Sequence, residues 1–368
     1  MKGIICSVFV MLATVLSLGP VASRAGADAT LSNPTASANA PRYAIVDLGS
    51  LGDGSSQSFA INARGQIVGR AYTVDGNQHA VFWRESKGSP VELATLGAFF
   101  ANANAISDSG LIVGVSAASE LSPPHAVLWS NSTSSAIDLG SFGGWSEAHG
   151  VNAGGQIVGF AEAGGGYPHA AFWADSNSLV VDLDPLGLAS EAHAINASGQ
   201  IVGNAFRNDT VHAAFWPDSS SLATDLGSLG GVDSGGSDAL AINAAGQIVG
   251  WSGTDFGGQH AVFWANSSSP PTDLGILAGG YSSFAQAINA SGQIVGFASC
   301  TCTFGRHAVI WLDSNSSAVD LNSLVSAESG WELLYAYGIN NSGAIVGYGI
   351  HNDGLAHAFV LIPARSNN

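Results

Sequence analysis

The stretch Ile195-Asn196-Ala197-Ser198-Gly199-Gln200-Ile201-Val202-Gly203 decides how this chain folds. Asn can turn its side chain back onto its own backbone, and Gly supplies a positive φ at no steric cost, so Asn196 and Gly199 mark a tight hairpin. The hairpin separates an apolar run ending at Ile195 from one starting at Ile201. A third β-favouring run follows at His212–Trp216 (HAAFW), and a fourth precedes at the approach to Asp182-Leu183.

These elements recur along the chain. INARGQIVG stands at 61–69, ISDSGLIVG at 106–114, VNAGGQIVG at 151–159, INAAGQIVG at 242–250, INASGQIVG at 288–296 and INNSGAIVG at 339–347. With the copy at 195–203, successive starts are 45, 45, 44, 47, 46 and 51 residues apart. Each copy is followed by a His-Ala strand, at His79, His125, His169, His212, His260, His307 and His357. Each is preceded by an acid-Leu element, at Asp47, Glu92, Asp138, Asp182, Asp225, Asp273 and Asp320. Four short strands in roughly 46 residues, seven times over, predict an all-β seven-bladed β-propeller with four antiparallel strands per blade. The lone first strand, Tyr43 to Leu48, is expected to join the last blade as its outer strand and remove the open edge. An open β-solenoid of the same repeat is the alternative architecture. The expected organisation is a signal peptide at 1–27, a flexible leader at 28–42, the propeller at 43–362 and a tail at 363–368.

Composition agrees. Of 368 residues 48 are Gly, and only 10% are charged, which favours strands and tight turns over helical bundles. Ten Lys+Arg against 27 Asp+Glu give a formal charge of −17, which argues against nucleic acid and anionic membranes as partners. No apolar run after residue 20 is long enough to span a bilayer. Lys2, the apolar run Ile4–Leu18 and Ala25-Gly26-Ala27 have the layout of an export signal cut before Asp28, so the chain is expected outside the cell or in the periplasm, as a monomer. Cys300 and Cys302 form a C-x-C that an oxidising compartment could close.

The repeated residues resemble the HAF-repeat family of extracellular repeat proteins, named for the His-Ala-Phe in the last strand of the repeat. The resemblance covers about 43–362 with seven copies and implies an exported β-repeat protein; it implies no reaction. The last unit departs twice: Leu361 stands in place of the Trp, and Asn322 in place of the first Gly.

Histidines repeated once per blade cannot gather round one metal. They are read as structural, each bonded to one of the seven acids above, and the six Trp of H-A-x-F-W as filler between blades. Function is sought instead where the repeat varies. The loops that enter each D-L-G-to-A-I-N and Q-I-V-G-to-H-A-x-F-W connection share one face, and loops on a rigid scaffold commonly carry binding. The three remaining Trp, Trp145, Trp251 and Trp331, are assigned to these loops, with Tyr72, Phe99, Phe100, Tyr167, Phe256, Tyr281 and Phe304. Exposed aromatic faces beside acids and amides suit sugar rings.

Two further positions per blade vary at the start of the inner strand: Gln57/Phe59, Asn102/Asn104, Glu147/His149, Glu191/His193, Asp238/Leu240, Phe284/Gln286 and Tyr335/Tyr337. They are expected to ring the central mouth. Glu147, His149, Glu191 and His193, next to Asp238, have the chemistry of an acid/base pair, with His149 and His193 as metal candidates. No nucleophile elbow, phosphate loop, dinucleotide fingerprint or H-E-x-x-H is present, and no cofactor is expected. The reading favoured by the sequence is a secreted propeller that binds an extracellular glycan or protein through its variable face. One alternative is a polysaccharide lyase or glycoside hydrolase using His149 or His193 as base, with Tyr335 or Tyr337 as acid or Glu147 and Glu191 as a carboxylate pair. Another is a surface repeat protein without ligand.

Overall fold

The computed structural model describes residues 42–364, apart from 53, 85–87, 99, 163–165, 185–186, 208 and 232–234. The expected signal peptide, almost all of the leader, Phe99 and residues 365–368 lie outside the described residues.

The chain folds into seven four-stranded antiparallel sheets. In each of the first six the strands run from inside to outside in chain order, for example Ser146–Val151, Ile157–Glu162, Pro168–Trp173 and Val181–Asp182. The seventh sheet takes its outer strand from the beginning of the chain: Tyr43–Asp47 pairs with Ala356–Pro363, with Tyr43 opposite Pro363 and Asp47 opposite Phe359. Blade 7 also touches blade 1 directly, through Ser58 Oγ donating to Gly347 O at 2.7 Å and Asn340 Nδ2 donating to Asn62 O at 3.1 Å. The sheets therefore close into a ring, and the open solenoid is set aside. The last strand reaches Pro363, and Ala364 N donates to Arg42 O at 2.7 Å, so pairing extends one residue before and two residues after the expected bounds of the propeller.

The core lies between blades. Val158, Phe172 and Leu183 of blade 3 pack on Ala192, Ile201, Ala214 and Trp216 of blade 4, and the other junctions repeat this arrangement. The repeated Trp and hairpin Asn satisfy buried backbone groups across or within a junction. Trp173 Nε1, on a fully buried ring, donates to Leu139 O of the preceding blade at 2.8 Å, and Trp83, Trp129, Trp216, Trp264 and Trp311 do the same one blade on. In the last blade Leu361 has no N–H to place, and the corresponding Leu321 begins a short 3-10 helix, Leu321–Leu324, capped by Asp320. The hairpin Asn does more than make a turn: Asn196 Oδ1 accepts from the Ser198 and Gln200 amides, while Nδ2 donates to Gln200 Oε1 and to Asn243 O of the next blade. In blade 2 this Asn is Ser107, whose hydroxyl meets Ser109 and the Leu111 amide within its own turn.

The seven repeated histidines pair as expected, each through Nδ1 to the acid of its own sheet. The pairs are His79–Glu92, His125–Asp138, His169–Asp182, His212–Asp225, His260–Asp273, His307–Asp320 and, across the closure, His357–Asp47, at 2.6–3.1 Å.

One irregularity repeats in all seven blades and positions the site. The innermost strand carries a β-bulge whose extra residue is Phe59, Asn104, His149, His193, Leu240, Gln286 or Tyr337. The bulge presses the carbonyl before it onto the Gly of Q-I-V-G: a Cβ on Gly159 would collide with Glu147 O, and one on Gly203 with Glu191 O. That is why the second strand needs Gly there, and why the bulged side chain is re-aimed out of the regular pleat.

Candidate functional site: a two-sided ring on the inner strands

Three variable positions per blade lie side by side. Two are the residues read from the sequence, Glu147/His149 and their counterparts. The third is the second-strand residue paired with the first of them: Arg70, Val115, Phe160, Asn204, Trp251, Phe297 or Tyr348. The third position was missed, although its signal is in the sequence: it follows the Gly of I-V-G and changes in nearly every repeat. These side chains contact one another from blade to blade and divide into two arcs.

Blades 2 to 5 carry a polar arc. Asn104 Nδ2 donates to Glu147 Oε1 at 2.8 Å, and Glu147 Oε1 lies 3.9 Å from His149 Nε2. The His149 ring stacks on His193, with centroids 5.5 Å apart and planes 22° apart. His193 Nε2 lies 3.2 Å from Asp238 Oδ1 and 3.1 Å from Asn204 Nδ2, which also donates to Asp238 Oδ2 at 3.2 Å. His149, Glu191 and His193 each bring a ligand-type atom within 4.8 Å of the other two. The bulges and the junction between blades 3 and 4 thus bring together the four residues singled out in the sequence, with Asp238 beside them.

Their surroundings shift their protonation. Burial pushes the Glu147 carboxyl up to about 7, against the pull of the Asn104 hydrogen bond and of Arg70. Burial likewise raises Glu191 to about 7; His193 opposes this, while Asp238 and Glu147 add to it. Burial holds His149 down to about 3, helped by repulsion from His193. For His193 burial acts the same way, but the charges of Asp238 and Glu191 outweigh it and raise the imidazole to about 9. Two stacked imidazoles cannot both carry a proton cheaply, and the acids choose His193. Perturbed groups that converge in this way are typical of functional sites.

Blades 5 to 7 and 1 carry an aromatic arc. Trp251 meets Phe284 edge-on at 6.1 Å, Phe284 stacks on Phe297 at 4.7 Å, and Phe297 meets Tyr335 at 4.6 Å. Tyr335 stacks on Tyr337 and Tyr348, and Phe59 closes on Tyr337 at 5.6 Å. Two arginines lie against the arc: Arg70 sits 5.5 Å over Phe59, at its end, and bonds Gln57, and Arg306 sits 5.3 Å over Tyr335, in its middle, and bonds its hydroxyl. Tyr335 and Tyr337 have these neighbours and make no ring contact or hydrogen bond with His149 or His193. The pairing of a histidine base with a tyrosine acid is therefore not assembled. Burial, with Tyr335 next to it, also pushes the Tyr337 phenol well above its ordinary range.

The expected loop aromatics separate into packed and free. Trp251 is not in a loop; it belongs to the second strand Ile248–Gly253 and to the arc. Trp331 is half-buried at the ring closure, against His351, His357 and Phe359. Trp145 lies edge-on to Phe160, which in turn meets His149 at 5.6 Å. Tyr72 ends a strand and donates to Gln78 Oε1 at 2.7 Å, and Phe100 is half-buried. Tyr167, Phe256, Tyr281 and Phe304 are exposed, with Phe256 at 101% and Tyr281 at 73%. Three of these four lie on successive loops that touch. Gly258, two residues from Phe256, abuts the Tyr281 carbonyl, and the Tyr281 amide donates to Ser299 Oγ, at the base of the loop that carries Phe304. That loop also holds Cys300 and Cys302 joined as a disulfide, Cα atoms 5.2 Å apart.

No protein-family model matches the chain, and no curated protein matches it in sequence. Among solved structures it is similar to the β-propeller domain of the trilobed protease from Pyrococcus furiosus, which has an open velcro topology. The TM-score is 0.55 at 11% identity, over 85% of this chain and 99% of that one. It is also similar to YCF48 bound to D1 peptide, with a TM-score of 0.50 at 12% identity, over 92% and 99% of the two chains. TolB from Acinetobacter baumannii gives 0.48 at 10% identity, and the chain spans 64% of its length. Identities this low show the fold alone, and the fold is a propeller. The pairing of Tyr43–Asp47 with the last strand distinguishes this ring from an open one. Among the described residues no helix is long and apolar enough to cross a membrane.

Proposed function

We propose that this chain is an exported propeller of the HAF-repeat kind that binds an extracellular glycan on its variable-loop face, at blades 5 and 6. The observation that carries the reading is the set of solvent-facing rings Phe256, Tyr281 and Phe304 on three touching loops. Tyr281 stands between the other two and its backbone is anchored by Ser299 Oγ, so its ring is presented rather than folded inward. Rigid aromatic anchors of this type offer large contact area at little entropic cost. An overall charge of −17 favours a neutral polyhydroxylated ligand over a polyanion.

A glycan array tests the reading. The wild-type chain is expected to retain a neutral oligosaccharide, and Tyr281→Ala and Phe256→Ala to lower its affinity at least tenfold (about 1.4 kcal/mol) with unchanged melting temperature. Absence of any retained glycan, or equal retention by both variants, removes the proposal. Trp331→Ala is a poor probe, because that ring packs the closure.

The converging acid and histidine group favours a second reading, hydrolysis or elimination on a glycan bound at the inner ring. Turnover of a retained oligosaccharide that disappears in Glu191→Gln would establish it.

A further inference from the structure

The polar arc holds a donor set that neither loop binding nor the scaffold uses. His149 and Glu191 come from adjacent inner strands, His193 sits two residues from Glu191, and their ligand-type atoms lie within 4.8 Å of one another. Two nitrogens and a carboxylate round a divalent transition metal at 2.0–2.2 Å would stand somewhat closer together, a difference that small side-chain movements cover. Three buried atoms without a hydrogen-bond partner point to a ligand there. His149 Nδ1 is buried and makes no hydrogen bond. Asp238 is 8% exposed, and its Oδ1 makes no properly directed hydrogen bond, only the charge approach of His193 Nε2 at 3.2 Å. Asn204, 4% exposed, likewise leaves Oδ1 unbonded beside them. The outer layer fits as well: Glu147, fixed by Asn104, faces the other nitrogen of His149, and Asp238 with Asn204 holds the His193 ring. Carboxylates and amides in this relation orient metal-binding imidazoles.

We propose that His149, Glu191 and His193 form a mononuclear site for a divalent transition-metal ion, with Zn2+ the natural occupant for two imidazoles and one carboxylate. Hard ions such as Ca2+ and Mg2+ prefer all-oxygen shells and are excluded by the same donor set. Three protein donors leave a fourth position for water or ligand, the open arrangement of reactive zinc sites. The ordinary alternative is a second triad, Cys300, Cys302 and His307. Its sulfurs are paired with each other and His307 is engaged by Asp320 and Glu332.

The test uses the whole chain stripped of metal, titrated with Zn2+ and, for its visible spectrum, Co2+. Expected are one ion per chain, no competition by excess Mg2+ or Ca2+, and X-ray absorption of the zinc form showing imidazole and oxygen but no sulfur. His149→Ala and Glu191→Gln are each expected to weaken binding at least tenfold, while Asp273→Asn, which breaks a scaffold pair, leaves it unchanged. Failure to take up a stoichiometric ion, sulfur in the zinc shell, or equal binding by the variants overturns the site. Should a variant fail to fold, the wild-type absorption spectrum decides alone. None of these readouts depends on glycan binding, so the two proposals fail separately.

Discussion

Two sets of histidines in this molecule share a residue type and carry opposite meanings. The seven repeated ones lie in the third strand of each blade, and each holds one acid of its own sheet. Those acids are mostly open to solvent, as with Asp273 at 44% beside His260 at 22%. His149 and His193 sit instead on bulges of the innermost strand, stack on each other, and share three carboxylates and two amides inside the ring. Repetition once per blade spreads a residue around the ring and makes it a local fastener. Occurrence in two adjacent blades concentrates it. Copy number and neighbourhood, more than residue type, separate scaffold from site.

The largest expected effect breaks the scaffold side. Deleting Tyr43–Asp47 strips the last blade of its outer strand, exposes the edge at Phe359 and Leu361, and should leave chemical denaturation without a single cooperative unfolding transition. Next comes Trp173→Ala, which empties a fully buried ring and orphans Leu139 O; it should cost about 3–5 kcal/mol in the same assay. Retention of near-native stability by either would mean that the junctions are not what holds the ring.

An intermediate effect belongs to the inner pair. His193 is raised to about 9, so the folded chain holds this proton more tightly than the unfolded one. Its stabilisation is complete below its ordinary 6.5 and fades as pH climbs through about 9. Glu147 and Glu191, raised to about 7, add loss in the same direction at lower pH, from about 4.5 up through 7. His149, held down to about 3, contributes stability above 6.5 that is lost as pH falls toward 3. Metal-free protein should therefore lose on the order of 2 kcal/mol between pH 7 and 10 through His193, and Asp238→Asn should flatten that slope. Equal slopes in the two proteins would show that His193 has no special partner. The smallest effect is Asp273→Asn, which removes one half-exposed scaffold partner and should cost about 0.5–1 kcal/mol in chemical denaturation.

Much of this was legible before any coordinates. The His–acid pairs, the interblade Trp and the strand that closes the ring all follow from elements whose spacing repeats. The mouth candidates Glu147, His149, Glu191 and His193 were legible because they vary where neighbours stay Ala or Gly. Arg70, Phe160, Asn204 and Tyr348 escaped because they lie one strand away, where the eye follows the repeated I-V-G rather than the residue after it. Trp251 was misplaced for the same reason: its strand continues two residues beyond the motif. Trp331 looked like a free platform because nothing local tells that His351, His357 and Phe359 fold over it.

By itself the sequence determined the blade, its number and its closure, since a short-range pattern of strand, hairpin and polar partner is stable only when stacked on copies of itself. Tertiary structure alone decided which variable residues meet. His149 and His193 are neighbours through the curvature of the ring and the bulge in each inner strand. Contacts between chain segments tens of residues apart leave no periodic trace in either segment, so only the folded ring shows a histidine pair among acids on one side and a band of stacked aromatics on the other.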